Sequence, residues 1–150
     1  TMITEVFGEF ISVADKKGLT LDLDIPDGPH FETLVDAGKL RQIFSNLLDN
    51  AIKYTPSGSV LITLSEDKEQ HEILCKFKDS GVGLSQDDVH HLFGKFARGS
   101  QGQRQNTEGS GLGLYVAKKM LEAMGGRVWV DSEGIGKGST FIIALSRGQG

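Results

Sequence analysis

The chain has 150 residues, enough for one domain with its own core, and its hydrophobic 38% and charged 24% are those of an ordinary soluble globular protein. A net charge of −4 argues against a broad surface for nucleic acid or acidic membrane, so an anionic ligand needs a local positive site or a metal. The single cysteine, Cys75, excludes an intrachain disulfide, the histidines (His30, His71, His90, His91) show no metal spacing, and no apolar stretch approaches the roughly 18 residues of a spanning helix.

In chain order, Val6, Phe10 and Val13 fall at helical spacing between Ile3 and Lys16. Leu19 to Ile25 alternates apolar and polar residues and reads as a half-buried strand. A short strand is expected at Phe31–Val35, followed by Asp36 as the N-cap of a helix that reaches Tyr54 and stops at Pro56 and Gly58. Val60–Leu64 and Ile73–Phe77 read as strands, and Ser85-Gln86-Asp87-Asp88 as the capping box of a short helix. Ala97 to Ser110 is a long stretch rich in Gly, Gln, Ser and Asn, the composition of a lid or of disorder. Leu112–Met124 reads as a helix ended by Gly125-Gly126, and Val128–Val130 and Thr140–Leu145 close the chain as strands. The mixture of hairpins and helices predicts an α+β fold, a two-layer sandwich with helices on one face of a mixed sheet. No linker divides the chain, and no signal peptide opens it, which points to a reducing, cytoplasmic compartment.

Three segments have the residue types for phosphate or nucleotide chemistry. On the long helix, Leu40, Ile43, Phe44, Leu47, Leu48 and Ala51 form the core stripe, while Asn46, Asn50 and Lys53 line up beside it at i, i+4 and i+7. Amides are poor helix-interior residues, and their oxygens suit Mg²⁺; Lys53 offers a point charge to a phosphate. A solvated polar face accounts for the same stripe. Along the strand Ile73–Phe77 the core parity continues to Asp79, and Lys76 and Lys78 take the other face. Asp79-Ser80-Gly81-Val82-Gly83 then offers either an acceptor for the exocyclic amine of a base, approached past glycine, or an ordinary Asp-Gly turn in which Asp bonds its own backbone. Gly109-Ser110-Gly111-Leu112-Gly113-Leu114 leads into a helix, where exposed N–H groups form an anion site, yet its spacing is neither the dinucleotide nor the Walker pattern. Gly136-Lys137-Gly138-Ser139-Thr140-Phe141 reads equally as a hairpin turn.

Taken together and in this order, these segments resemble the nucleotide-binding boxes of the histidine-kinase catalytic domain, in the superfamily that includes gyrase, Hsp90 and MutL. Asn46 to Pro56 resembles the N box, Asp79–Gly83 the G1 box, Leu92–Gly99 the F box, Gly109–Leu114 the G2 box and Gly136–Phe141 the last glycine motif. The resemblance spans roughly Gly18 to Ser146 and is most specific at the N and G2 boxes. It implies a Bergerat-type ATP-binding fold, with about five strands covered on one face by about three helices, after an N-terminal helix over residues 1–17 and with an ATP lid at 97–110. It implies Mg²⁺ as cofactor and ATP as substrate. Asn50 would be the chief metal ligand, assisted by Asn46; Lys53 and Arg98 would meet phosphates; Tyr54 would pack near the adenine. Asp79 would take the adenine amine, helped by Thr140. Gly81 and Gly83 would admit the nucleotide, Phe93 and Phe96 would anchor the lid, and Gly109, Gly111, Leu112 and Gly113 would cradle phosphate.

The activity so implied is transfer of the γ-phosphoryl group to a histidine on a separate dimerisation and phosphoacceptor hairpin, with a response regulator downstream and no nucleic acid partner. No histidine here has the Glu/Asp-Leu-Arg context of that hairpin, so the chain reads as an excised, monomeric catalytic domain of a homodimeric kinase that segments outside this chain could anchor to a membrane. ATPases of the gyrase, Hsp90 or MutL kind are the alternative. They usually carry Glu one turn before the metal-binding Asn, where Asn46 stands here, and an amide is not a general base. Serine kinases of the superfamily tend to carry that Glu too. A nucleotide-binding module without catalysis is the remaining reading. Two departures from the family pattern are Gly94-Lys95 in place of an acidic-basic pair, and Ser85 in place of Pro.

Overall fold

The computed structural model describes residues 2–25, 37–93 and 113–146. Elements follow in the order α1 (Met2–Lys17), β1 (Leu19–Asp24), α2 (Ala37–Lys53), β2 (Gly58–Asp67), β3 (Glu72–Asp79), α3 (Gln86–His91), α4 (Gly113–Ala123), β4 (Arg127–Asp131) and β5 (Ser139–Ser146). The expected strand at Phe31–Val35 and the cap at Asp36 lie outside the described residues.

The strands form one mixed sheet in the order β1-β2-β3-β5-β4. β1 and β2 run parallel, which requires a crossover, and α2 supplies it; the other pairings are antiparallel. Strand parity sorts the two faces. Val60, Ile62, Leu64, Ile73, Cys75, Phe77, Phe141, Ile143 and Leu145 are buried against the helices, as are the α2 stripe residues Leu40, Ile43, Phe44, Leu47, Leu48 and Ala51. Phe44 of α2 meets Phe77 of β3 with ring centroids 5.5 Å apart, joining the layers at their centre. Lys76 and Lys78 stand exposed on the opposite face, as the alternation predicts. The sandwich therefore has the expected α+β form, an N-terminal helix followed by three more, the short capped α3 among them.

Local signals in the sequence set most element ends. Ser85 Oγ accepts from Asp88 N while Asp88 Oδ2 accepts from Ser85 N, the reciprocal capping box that starts α3. After α4, Gly125 takes φ 81° and Gly126 N donates to Leu121 O at 2.9 Å, a glycine-dependent helix stop. α1 is held on α2 at both ends. Arg41 pairs with Glu5 and Glu9, and the Lys17 ammonium donates to Ile52 O at 2.6 Å and Lys53 O at 3.3 Å. Lys17 thus places a cation on the last carbonyls of α2, where Ile52 O also accepts from Thr55 N. Burial lowers its pKa, and the nearby Asp49 carboxylate counters part of that shift.

Candidate functional site

The end of α2, the start of β2, the end of β3 and the start of β5 converge at one end of the sheet. Their backbones are tied there. Val82 N donates to Tyr54 O at 3.0 Å, Ser80 N to Ser59 O at 3.0 Å, and Gly136 N to Val82 O at 2.7 Å. The tie between Tyr54 and Val82 places the polar stripe of α2 beside the Asp79–Gly83 turn.

Asp79 is the last residue of β3, paired with Val60 on one side and Ser139 on the other, and only 3% exposed. Its Oδ1 accepts from Gly81 N at 2.9 Å and from Ser139 N at 3.2 Å, and its Oδ2 accepts from Ser139 Oγ at 2.8 Å. The Gly81 bond is the local one that an Asp-Gly turn makes; the two from Ser139 are long-range and come only from the sheet. A carboxylate has about four acceptor positions, so these three bonds leave Oδ2 able to take one more donor. Burial raises the pKa of this carboxyl, and the bonds from Gly81 and Ser139 hold part of the rise back.

The turn also depends on glycine for space. A Cβ on Gly81 would lie 2.1 Å from Tyr54 O, 2.8 Å from Thr55 Oγ1 and 2.9 Å from Asp79 Oδ1. Thr55 is fully buried and donates to Ala51 O at 2.8 Å, so it cannot swing aside freely.

On α2, Asn46, Asn50 and Lys53 are half-buried, outside the fully buried stripe, as the helical spacing requires. Asn50 Nδ2 is buried with no hydrogen-bond partner, the one such side-chain nitrogen or oxygen among the described residues. Buried polar groups are seldom left so. The Asn50 carboxamide oxygen is a hard donor of the kind Mg²⁺ takes, so the donor set fits that ion. Lys53 Nζ lies 3.0 Å from Asp49 Oδ2. Tyr54 is 8% exposed at the end of the same helix. Phe93 packs edge-on against Phe141 at 6.2 Å, which fixes the chain just before the expected lid.

Of the expected site residues, Tyr54, Asp79, Gly81 and Gly83 fall on the segments tied at one end of the sheet, Asn46, Asn50 and Lys53 lie along the helix that leads to it, and Thr140 is corrected. The hydroxyl expected from Thr140 comes from Ser139. Adjacent strand residues face opposite ways; Ser139 shares the face of its partner Asp79, whereas Thr140 pairs with Lys78 and lines the other face with Leu61, Lys76 and Trp129. Gly113 opens α4. Phe96, Arg98, Gly109, Gly111, Leu112 and the lid 97–110 lie outside the described residues. Sequence reasoning missed Ser139, although it stood inside a quoted motif, and it missed Ser132, whose hydroxyl bonds to Leu84, Gly134 and Gly138.

The sheet topology and the buried carboxylate at its glycine turn define a nucleotide-binding domain of the Bergerat type. A family model described as histidine kinase-, DNA gyrase B-, and HSP90-like ATPase matches residues 35–149. The sensor histidine kinase WalK of Bacillus subtilis (strain 168) is 36% identical over 112 residues, covering 74% of this chain and 18% of WalK. The sensor protein GacS of Pseudomonas syringae pv. syringae is 40% identical over 113 residues, covering 73% of this chain and 12% of GacS. Among solved structures, full-length ShkA in complex with AMPPNP superposes with a TM-score of 0.80 at 30% identity, over 96% of this chain and 29% of that one. The Acinetobacter baumannii histidine kinase AdeS gives 0.76 at 25% identity, over 99% and 64%. The chain belongs to the histidine kinase-, DNA gyrase B- and HSP90-like ATPase family, and its kinship there is with the catalytic domains of sensor histidine kinases. It spans less than a fifth of the two curated relatives it is compared with. Among the described residues no helix is long and apolar enough to cross a membrane.

Proposed function

We propose that this domain binds Mg²⁺–ATP and donates the γ-phosphoryl group to a histidine on a separate dimerisation and phosphoacceptor hairpin of its parent kinase. The observation that carries this reading is the α2 stripe. It presents two amides and a lysine, with an orphaned Asn50 nitrogen and no carboxylate at position 46. Asp49, the one carboxylate close by on the helix, is paired with Lys53 and lies near Lys17, a poor setting for a general base.

In this reading Asn50, assisted by Asn46, would hold Mg²⁺, and the ion would supply charge neutralisation at the phosphates. Asn50 Nδ2 donates to a phosphate oxygen, and Lys53 turns from Asp49 to the phosphates as a point charge. Asp79 Oδ2 accepts the adenine amine, and Tyr54 packs beside the base. Phosphoryl transfer asks little covalent chemistry of the protein and depends on positioning and charge neutralisation. The acceptor imidazole nitrogen forms the N–P bond as the bond from phosphorus to the bridging oxygen of ADP breaks, and the ring proton passes to solvent. Phe93 and Phe96 anchor the lid, while Arg98 and the Gly109, Gly111, Leu112 and Gly113 turn complete the phosphate site. A response regulator takes the phosphoryl group onward. The isolated domain is a monomer, its parent a homodimer, and the compartment cytoplasmic.

The test is to mix the domain with ATP labelled at the γ-phosphate, with and without the histidine-bearing hairpin. Acid-labile phosphohistidine on the hairpin, with slow turnover by the domain alone, is the expected result. Brisk hydrolysis by the domain alone with no transfer would favour the ATPase reading.

A further inference from the structure

The loop between β4 and β5 lies against the Asp79–Leu84 turn main chain to main chain. A Cβ on Gly83 would sit 2.1 Å from Gly134 O, and one on Gly138 would sit 2.2 Å from Asp79 O. No side chain fits between the two segments at these points; beside the main-chain bond from Gly136 N to Val82 O, a side chain at their margin ties them together. Ser132, the first residue after β4, does this. Its Oγ accepts from Leu84 N at 3.0 Å and from Gly134 N at 3.3 Å, and donates to Gly138 O at 2.7 Å. A hydroxyl has one donor and two acceptor positions, and here all three are used. One of its bonds grips the far end of the turn that Asp79 begins. Another grips the residue just before Ser139, whose N–H and hydroxyl orient the Asp79 carboxylate.

We propose that Ser132 is a specificity-determining positioning residue: it acts through Gly138–Ser139 and the Asp79–Leu84 turn to hold Asp79 Oδ2 where it selects the exocyclic amine of adenine. The proposal rests on the reading that Asp79 takes that amine. Ser132 does not touch Asp79 and contributes no bond to the base. It ties the residue that precedes Ser139 to the far end of the turn that Asp79 begins. A selective site needs its groups held within about 0.5 Å. Because Ser132 is half-buried, water can replace the lost hydroxyl, and the loss falls on selectivity more than on folding.

The test compares ATP and GTP affinity, each with Mg²⁺, for the wild-type chain and for Ser132→Ala, Ser132→Thr and Asp79→Asn. A purely structural role for Ser132 changes the folded fraction, which scales both affinities by one factor and leaves their ratio unchanged. The expected result is a fall in the ATP/GTP ratio for Ser132→Ala by about tenfold, the size of one selective hydrogen bond. Ser132→Thr, which keeps the hydroxyl, retains the wild-type ratio. Should Ser132→Ala not fold, the ratio is read from Ser132→Cys, whose longer, weaker S–H cannot make the same three bonds. An unchanged ratio in the variant lacking the hydroxyl, or a ratio lost equally in Ser132→Thr, overturns the proposal. If Asp79→Asn collapses the ratio while Ser132→Ala leaves it intact, the Asp79 reading stands and the role of Ser132 falls. If Asp79→Asn leaves the ratio intact, the Asp79 reading itself has failed.

Discussion

Asn50→Ala separates what the fold needs from what the ligand needs. The buried Nδ2 has no hydrogen-bond partner, and such an orphan costs about 1–3 kcal/mol of stability. Alanine removes that cost and improves helix propensity by up to about 0.7 kcal/mol. The side chain is half-buried and outside the core stripe, so the packing lost is well below the roughly 2–5 kcal/mol of a core truncation. The variant without ligand should therefore be more stable than the wild type by about 1–2 kcal/mol, a rise in Tm of roughly 2–8 °C for a chain of this size. Mg²⁺–ATP at one hundred times its Kd should stabilise the wild type by about 2.7 kcal/mol and the variant by little. Adding the ligand should thus reverse the order of the two melting temperatures. Thermal melts with and without Mg²⁺–ATP, together with a calorimetric titration, measure both effects. A variant that melts several degrees below the wild type without ligand, or that gains the same ligand shift, would refute the reasoning.

Two further outcomes follow from the Asp79 turn. Because burial raises the folded-state pKa of Asp79 above the usual 3.8, the folded chain holds that proton more tightly than the unfolded one. Stability from this group is thus greatest below the unfolded value and declines as pH rises through the folded one. Base binding has the opposite sign, since only the carboxylate form accepts the amine without losing an acceptor. Adenosine affinity should weaken as pH falls through the raised pKa, and Asp79→Asn should flatten that profile; an affinity that the wild type and Asp79→Asn share at every pH counts against the assignment. Gly81→Ala puts a methyl 2.1 Å from Tyr54 O. The turn must shift off the end of α2, at about 1–3 kcal/mol in stability, and the Val82 to Tyr54 bond goes with it. ATP affinity should fall by more than tenfold in a chain that still melts cooperatively, and a titration matching wild type would show that the turn has slack.

Wherever a signal was local, the sequence was legible. The capping box at Ser85 and Asp88, the glycine stop after α4 and the core stripe of α2 each depend on residues within a few positions of one another, and each appears in the structure. The partner of Asp79 was misplaced by one residue. Which of Ser139 and Thr140 faces it depends on the β3–β5 register, and register is a property of two strands sixty residues apart.

By itself the sequence determined the class of fold, the order of its elements and the residues that face the core, because periodicity, caps and turn glycines act over short distances. It also placed Asn46, Asn50 and Lys53 beside the core stripe of α2 and Asp79 on the core-facing parity of β3. Only the tertiary structure decided what surrounds them: the bonds of Ser139 to Asp79, the grip of Ser132 on two turns, the Lys17 bonds to the end of α2 and the unpaired nitrogen of Asn50. Each of these depends on segments far apart in the chain that meet only after the sheet has paired and the helices have packed, and a hydrogen bond is fixed by distances that sequence spacing does not specify.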